Sequence, residues 1–120
     1  MKVLIIDDDA DIRFVAAMSL RAGGAIDVVE ASGGLDGVCK AREEQPDVIL
    51  LDMMMPTMDG SQTIAALRMQ TETATTPVIF LTAKTIVAEI QRMKDLGAAG
   101  VLIKPFDPRT LAADVFALLT

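Results

Sequence analysis

Val48-Ile49-Leu50-Leu51-Asp52-Met53-Met54-Met55-Pro56-Thr57-Met58-Asp59-Gly60 is the stretch whose reading decides the fold. Val48 to Leu51 is an aliphatic run with no polar alternation. That pattern belongs to a strand covered on both faces, hence to the centre of a parallel sheet. Asp52 ends the run, and in open α/β sheets ligands bind at the carboxyl ends of the strands. A Met-Met-Met-Pro turn follows, and Asp59-Gly60 opens a helical pattern.

On either side, apolar runs alternate with helical periodicities. Residues 2–6 form a short apolar strand that ends in Asp7-Asp8-Asp9, the same arrangement as at Asp52. Asp8 or Asp9 is placed to cap the helix that follows, which turns Ile12, Val15, Ala16, Ser19 and Leu20 to one face. Gly23-Gly24 stops it. Residues 26–31 read as a weaker, edge-type strand. Residues 33–44 read as a helix with two alternative inner faces: Leu35, Val38, Cys39 and Arg42, or Gly34, Val38 and Ala41. Its three glycines imply close packing.

After the central strand come a helix over 60–69 with Ile64 and Leu67 inward, a polar loop over 70–76, and a strand over 77–81 that ends in Thr82. A helix over 85–96 turns Ile86, Val87, Ile90 and Met93 inward and is closed by Gly97. A strand over 100–103 runs into Lys104-Pro105. Asp107 and Pro108 read as the cap and first position of a last helix, with Leu111, Val115, Leu118 and Leu119 as its apolar face. Five strand–helix alternations with short links predict a doubly wound α/β fold with a five-stranded parallel sheet, strand order 2-1-3-4-5 and five helices, as one domain over 1–120.

Composition narrows the function. The 52% hydrophobic content suits strands covered on both faces, and no apolar run approaches the ~18 residues of a membrane span. Asp7-Asp8-Asp9 interrupts the apolar start, so nothing reads as a signal peptide and the expected location is the cytoplasm. Residues 1–60 carry 12 acidic against 5 basic groups, and residues 61–120 carry 5 against 6. An acidic domain without a basic stripe is a poor nucleic-acid binder. Cys39 is the one cysteine, expected as a small buried filler, and there is no His. Internal disulfides, thiolate clusters, His metal sites and Ser-His or Cys-His nucleophiles are therefore excluded.

Four strand ends carry polar groups: Asp7-Asp8, Asp52, Thr82 and Lys104. In a parallel sheet of that order they lie on one edge, with Asp7, Asp8 and Asp52 converging at the switch point between strands 1 and 3. Three crowded carboxylates repel, and a hard divalent cation, Mg²⁺, relieves them with oxygen ligands alone. A hydroxyl from Thr82 and the Lys104 ammonium complete what is needed to hold a phosphoryl group while a carboxylate attacks in line. The spacing Asp7-x-Asp9-x-Asp11 imitates a Ca²⁺ loop, but Ile12 and Met18 stand where that loop needs Gly and Glu.

The chain resembles the receiver domains of two-component response regulators, of the chemotaxis type, over essentially its whole length. The resemblance is carried by Ile5-Ile6-Asp7-Asp8-Asp9, Ala31-Ser32-Gly33-Gly34, Leu51-Asp52 through Asp59-Gly60, Leu81-Thr82-Ala83, and Gly97-Ala98-Ala99-Gly100 leading to Lys104-Pro105-Phe106. It implies a flavodoxin-like fold. It implies that Asp52 accepts the phosphoryl group and that Asp7, Asp8, Asp52 and the Met54 carbonyl bind Mg²⁺. Thr82 would be the switch hydroxyl and Lys104 the pairing cation. The N–H groups of Met53 and Ala83 would touch phosphoryl oxygens, and the Lys104-Pro105 bond would be cis. Met54 and Lys84 would tune phosphoryl lifetime. The implied partner is a sensor histidine kinase or histidine phosphotransfer protein, with a homodimer on phosphorylation as a further expectation. One departure stands out: Val101 occupies the place of the family's switch aromatic. The resemblance also implies that the chain is a stand-alone relay protein or the amino-terminal domain of a longer regulator.

Two other readings use the same residues. One is a Mg²⁺-dependent aspartyl-phosphate phosphohydrolase of the haloacid dehalogenase type. Its nucleophile would open Asp-x-Asp-x-Thr/Val on strand 1, where this chain has Asp11 in the last place. The other is a pseudo-receiver that acts by binding alone.

Overall fold

The computed structural model describes residues 1–24, 26–83 and 85–120. Five strands, β1 (Lys2–Ile6), β2 (Asp27–Ala31), β3 (Val48–Asp52), β4 (Val78–Thr82) and β5 (Gly100–Ile103), alternate with five helices. These are α1 (Ala10–Ala22), α2 (Gly34–Glu44), α3 (Gly60–Arg68), α4 (Val87–Asp95) and α5 (Leu111–Leu119). All pairings are parallel and the strand order is β2-β1-β3-β4-β5, as the sequence predicts.

Strand parity divides the core in two. Val3, Ile5, Val48, Leu50, Ile79 and Leu81 face α1 and α5, with Ala16, Leu20, Leu111 and Val115 packed on them. Leu4, Ile6, Ile49, Leu51, Val78 and Phe80 face the opposite layer, against Ala41, Ile64, Leu67 and Met93. Every residue of β3 and β4 is buried, which is why neither shows polar alternation.

Caps fix where the helices begin. Asp9 caps α1, accepting from the N–H groups of Asp11 and Ile12. Asp59 caps α3 in a reciprocal box with Gln62, and these hydrogen bonds hold its carboxyl below the usual range.

Four expectations need correction. Of the two inner faces expected for α2, the one with Gly34, Val38 and Ala41 is found, with Gly37 buried beside it; the other fails, since Leu35 is 74% exposed, and Cys39 is exposed instead of a buried filler. Gly37 lies directly on the Ile6 side chain, so the glycine face lets the helix approach the sheet and turns the larger residues out. Helix α4 starts at Val87, two residues later than expected. Ile86 and Val87 are exposed, Ile90 is half-buried, and Met93 anchors the helix in the core. Helix α5 starts at Leu111 with Thr110 as its cap, not at Pro108. The Asp107 carboxylate is taken by the N–H and guanidinium of Arg109, which shapes a turn over 107–110 ahead of the first core residue. The 70–76 loop contains a 3-10 turn, Thr71–Thr73, tied down by Arg68 through the carbonyls of Thr73 and Thr76.

Candidate functional site

The topology brings the strand ends together. Asp7 follows β1, Asp52 ends β3, Thr82 ends β4 and Lys104 follows β5. The register Asp52↔Leu81 and Thr82↔Ile103 sets Asp52, Thr82 and Lys104 along one edge. The Lys104 N–H donates to the Thr82 carbonyl at 2.7 Å, continuing the ladder past β5. Carboxylate oxygens of Asp7, Asp8 and Asp52 lie within 4.8 Å of one another. Asp7 and Asp52 are buried, Asp8 is exposed, and Thr82 is buried.

The two Asp7 oxygens are differently engaged. Oδ1 accepts from the Asp9 N–H at 2.9 Å, and Oδ2 accepts from Lys104 Nζ at 2.9 Å. Lys104 Nζ also lies 3.2 Å from Asp52 Oδ1, which accepts from the Met54 N–H at the same distance. One ammonium thus serves two buried carboxylates. It does not balance them: burial, and then the charge of Asp7, push the Asp52 carboxyl up from 3.8 to about 6. Burial works against the Lys104 ammonium, but its contacts with Asp7 and Asp52 outweigh that and hold its pKa above the ordinary value. A converging set of carboxylate oxygens with excess negative charge fits a hard divalent cation.

The other residues implied by the resemblance are nearby, with one difference. The Met53 N–H donates to the Leu81 carbonyl at 3.0 Å, so the backbone donor aimed at the Asp52 carboxylate is that of Met54. The Met54 side chain is 63% exposed and Ala83 is exposed at the head of the turn after β4. The Lys104-Pro105 bond is cis. Val101 is half-buried against the Met93 layer. Lys84 lies outside the described residues.

Sequence reasoning missed two features. A pocket of about 460 Å³ opens beside Lys104, walled by Ile12 and Val15 of α1, Ala83, Pro105 and Phe106. Ile12 and Val15 read as core positions, and only the turn after β5 shows that they line a pocket. Arg13 also reaches the site, its Nη1 donating to the Asp7 carbonyl at 2.7 Å. An Arg near the start of an amphipathic helix has the signature of a solvated charge, so nothing in the sequence marked it. No described helix is long and apolar enough to cross a membrane.

Comparison with known proteins agrees with this geometry. Residues 3–116 match the response regulator receiver domain. Protein PilH of Pseudomonas aeruginosa is 36% identical over 118 residues, which cover 98% of this chain and 97% of PilH. The DNA-binding dual master transcriptional regulator RpaA of Synechocystis sp. is 40% identical over 118 residues. There the chain spans about half of the relative's length, 48%. Among solved structures, the chemotaxis response regulator CheY4 of Vibrio cholerae superposes with a TM-score of 0.90 at 37% identity, over 98% of this chain and 97% of that one.

Proposed function

The chain belongs to the response regulator receiver domains of two-component signalling, and from that premise we propose that it takes a phosphoryl group from a partner's phosphohistidine onto Asp52. The observation that carries this reading is the meeting of Asp7, Asp8, Asp52 and Lys104 at one sheet edge, with Asp52 buried among them.

As the pH rises through about 6 the Asp52 carboxylate becomes ionised, and it would then attack phosphorus in line with the leaving imidazole nitrogen. The P–N bond breaks as the P–O bond forms, and the imidazole carries away the electron pair. Mg²⁺, held by the Asp7, Asp8 and Asp52 carboxylates and the Met54 carbonyl, would neutralise charge on the phosphoryl oxygens. Lys104 would leave Asp7 to pair with a phosphoryl oxygen, and the Thr82 hydroxyl and Ala83 N–H would bind others. The Met53 N–H would join them only by leaving the Leu81 carbonyl.

A histidine kinase or histidine phosphotransfer protein is the matching donor. The pocket walled by Ile12, Val15, Pro105 and Phe106 would give that partner an apolar footing beside Lys104, the ammonium that contacts Asp52. The response would be read on α4, β5 and α5. Met93 is the buried residue of α4, so a small change in free energy can move that helix. Val101 has no ring to swing, so the signal would not pass through an inward-turning aromatic at that position. The acyl phosphate and its switching make the chain a signalling device that turns over only its own phosphoryl group.

Intact mass after treatment with acetyl phosphate tests this. The expected result is a single phosphoryl adduct that requires both Mg²⁺ and Asp52 and is absent in Asp52→Asn. An unmodified mass on wild type quenched at low pH would overturn the acceptor role and leave partner binding alone. Turnover of a phosphomonoester would instead favour a phosphohydrolase.

A further inference from the structure

Asp7 and Asp8 sit on a two-residue turn between β1 and the Asp9 cap, and their carboxylates can converge only if that turn is held. We propose that Arg13 is the positioning residue that holds it, and that Mg²⁺ affinity depends on this arginine although it touches no carboxylate of the acidic set in this structure. The inference rests on the metal-binding reading above.

The peptide units on both sides of Asp7 are fixed. Its N–H donates to the Ala31 carbonyl at 3.1 Å, anchoring the turn to β2. Its carbonyl accepts from Arg13 Nη1 at 2.7 Å. That carbonyl and the Asp8 N–H belong to one rigid peptide plane. The Arg13 bond therefore sets the twist between the Cα–Cβ directions of Asp7 and Asp8, and with it the spacing of their carboxylates.

The arginine is itself held. It reaches back from the first turns of α1 with its side chain 18% exposed, and Nε lies 3.5 Å from Glu30 Oε1 on β2. A planar fork can face a carbonyl and a carboxylate at once, and a lysine ammonium on the same backbone cannot do so with fixed geometry.

Charge alone argues the opposite way. A cation beside an acidic set disfavours a second cation, so its removal should tighten Mg²⁺ binding. Positioning predicts weaker binding, since groups that orient metal ligands are typically worth 10- to 100-fold in affinity. The two readings differ in sign.

The chain has no Trp or Tyr, so Mg²⁺ is followed by titration calorimetry on the full chain, with melting temperatures measured alongside. Arg13→Gln should bind Mg²⁺ about tenfold more weakly than wild type, and Arg13→Lys, which keeps the charge, should lie between them. Lys40→Met is the control. It removes a 2.6 Å bond to the Glu30 carbonyl, on the same strand end but away from the turn, and should lower the melting temperature with Mg²⁺ affinity unchanged. Should Arg13→Gln fail to fold, a several-fold loss in Arg13→Lys carries the proposal. Unchanged or tighter binding in the Arg13 variants would overturn it. So would an equal loss in Lys40→Met, which would mark general loosening. Wild type that takes up no Mg²⁺ would remove the metal-binding reading itself, and this inference with it.

Discussion

Lys104 and Asp7 stand 97 residues apart in the chain and 2.9 Å apart in space, and the Asp7 side chain in that pair is fully buried. Removing the ammonium would leave a buried carboxylate without its charged partner and would also release Asp52, whose pKa Lys104 lowers. Lys104→Met is therefore expected to lower the unfolding free energy by about 3 kcal/mol without divalent cations. Urea unfolding at pH 7.5 in EDTA checks it, and a loss below about 1 kcal/mol would mean that Asp9 and water satisfy Asp7 unaided.

Asp52 should act in the opposite sense. Its carboxyl is raised from 3.8 to about 6, so the ionised form is disfavoured in the folded protein. The stability it contributes is complete below pH 3.8 and is lost as the pH rises through about 6. At about 1.4 kcal/mol per pH unit, that interval amounts to roughly 3 kcal/mol. Asp52→Asn should thus be more stable than wild type at pH 7.5 in EDTA and match it near pH 4. Saturating Mg²⁺ should narrow the gap, because a cation that binds the native state stabilises it. Urea midpoints across pH for both proteins, with and without Mg²⁺, provide the comparison.

Thr57 holds φ at 69°, a left-handed conformation that a β-branched residue disfavours, and its side chain is exposed. Thr57→Asn should raise the unfolding free energy by about 1 kcal/mol, because Asn tolerates this region and no packing is lost. A decrease in the urea midpoint would show that the threonine makes a contact worth more than the strain.

Gly60 lies close against the backbone that carries Asp52. A Cβ there would stand 2.8 Å from Met53 Cα and 2.9 Å from the Asp52 carbonyl oxygen. Gly60→Ala is expected to cost about 2 kcal/mol and to slow adduct formation on Asp52, since the backbone that must yield carries the proposed acceptor. Unfolding and intact-mass time courses would reveal both effects. A stable variant with the wild-type adduct rate would show that the Asp52 backbone does not have to move.

The sheet was legible because its strands are unbroken aliphatic runs, and parallel strands place their carboxyl ends together wherever the helices lie. Asp7, Asp52, Thr82 and Lys104 could be brought to one edge by that rule alone. Helix α2 left two faces open because periodicity also weighs Leu35 and Cys39 as core, and close packing on Ile6 selects the glycine face. The start of α5 misled because Asp107 looks like a cap until Arg109 is seen to occupy it. Arg13 was illegible for a different reason. Its partner is a backbone carbonyl, and carbonyls leave no mark in a sequence.

The two unlike cores give the strands a reading frame. Val3 and Ile5 belong to one layer, Leu4 and Ile6 to the other, and Asp7 follows one step later. Exchanging one aliphatic side chain for another alters a word, but deleting one residue shifts every later letter of that strand across the sheet. Within β1 or β3 such a deletion would trade the contents of the two layers and move an acidic residue off the edge where the others wait. The site is thus protected from drift in the spelling of its strands and exposed to any change in their count.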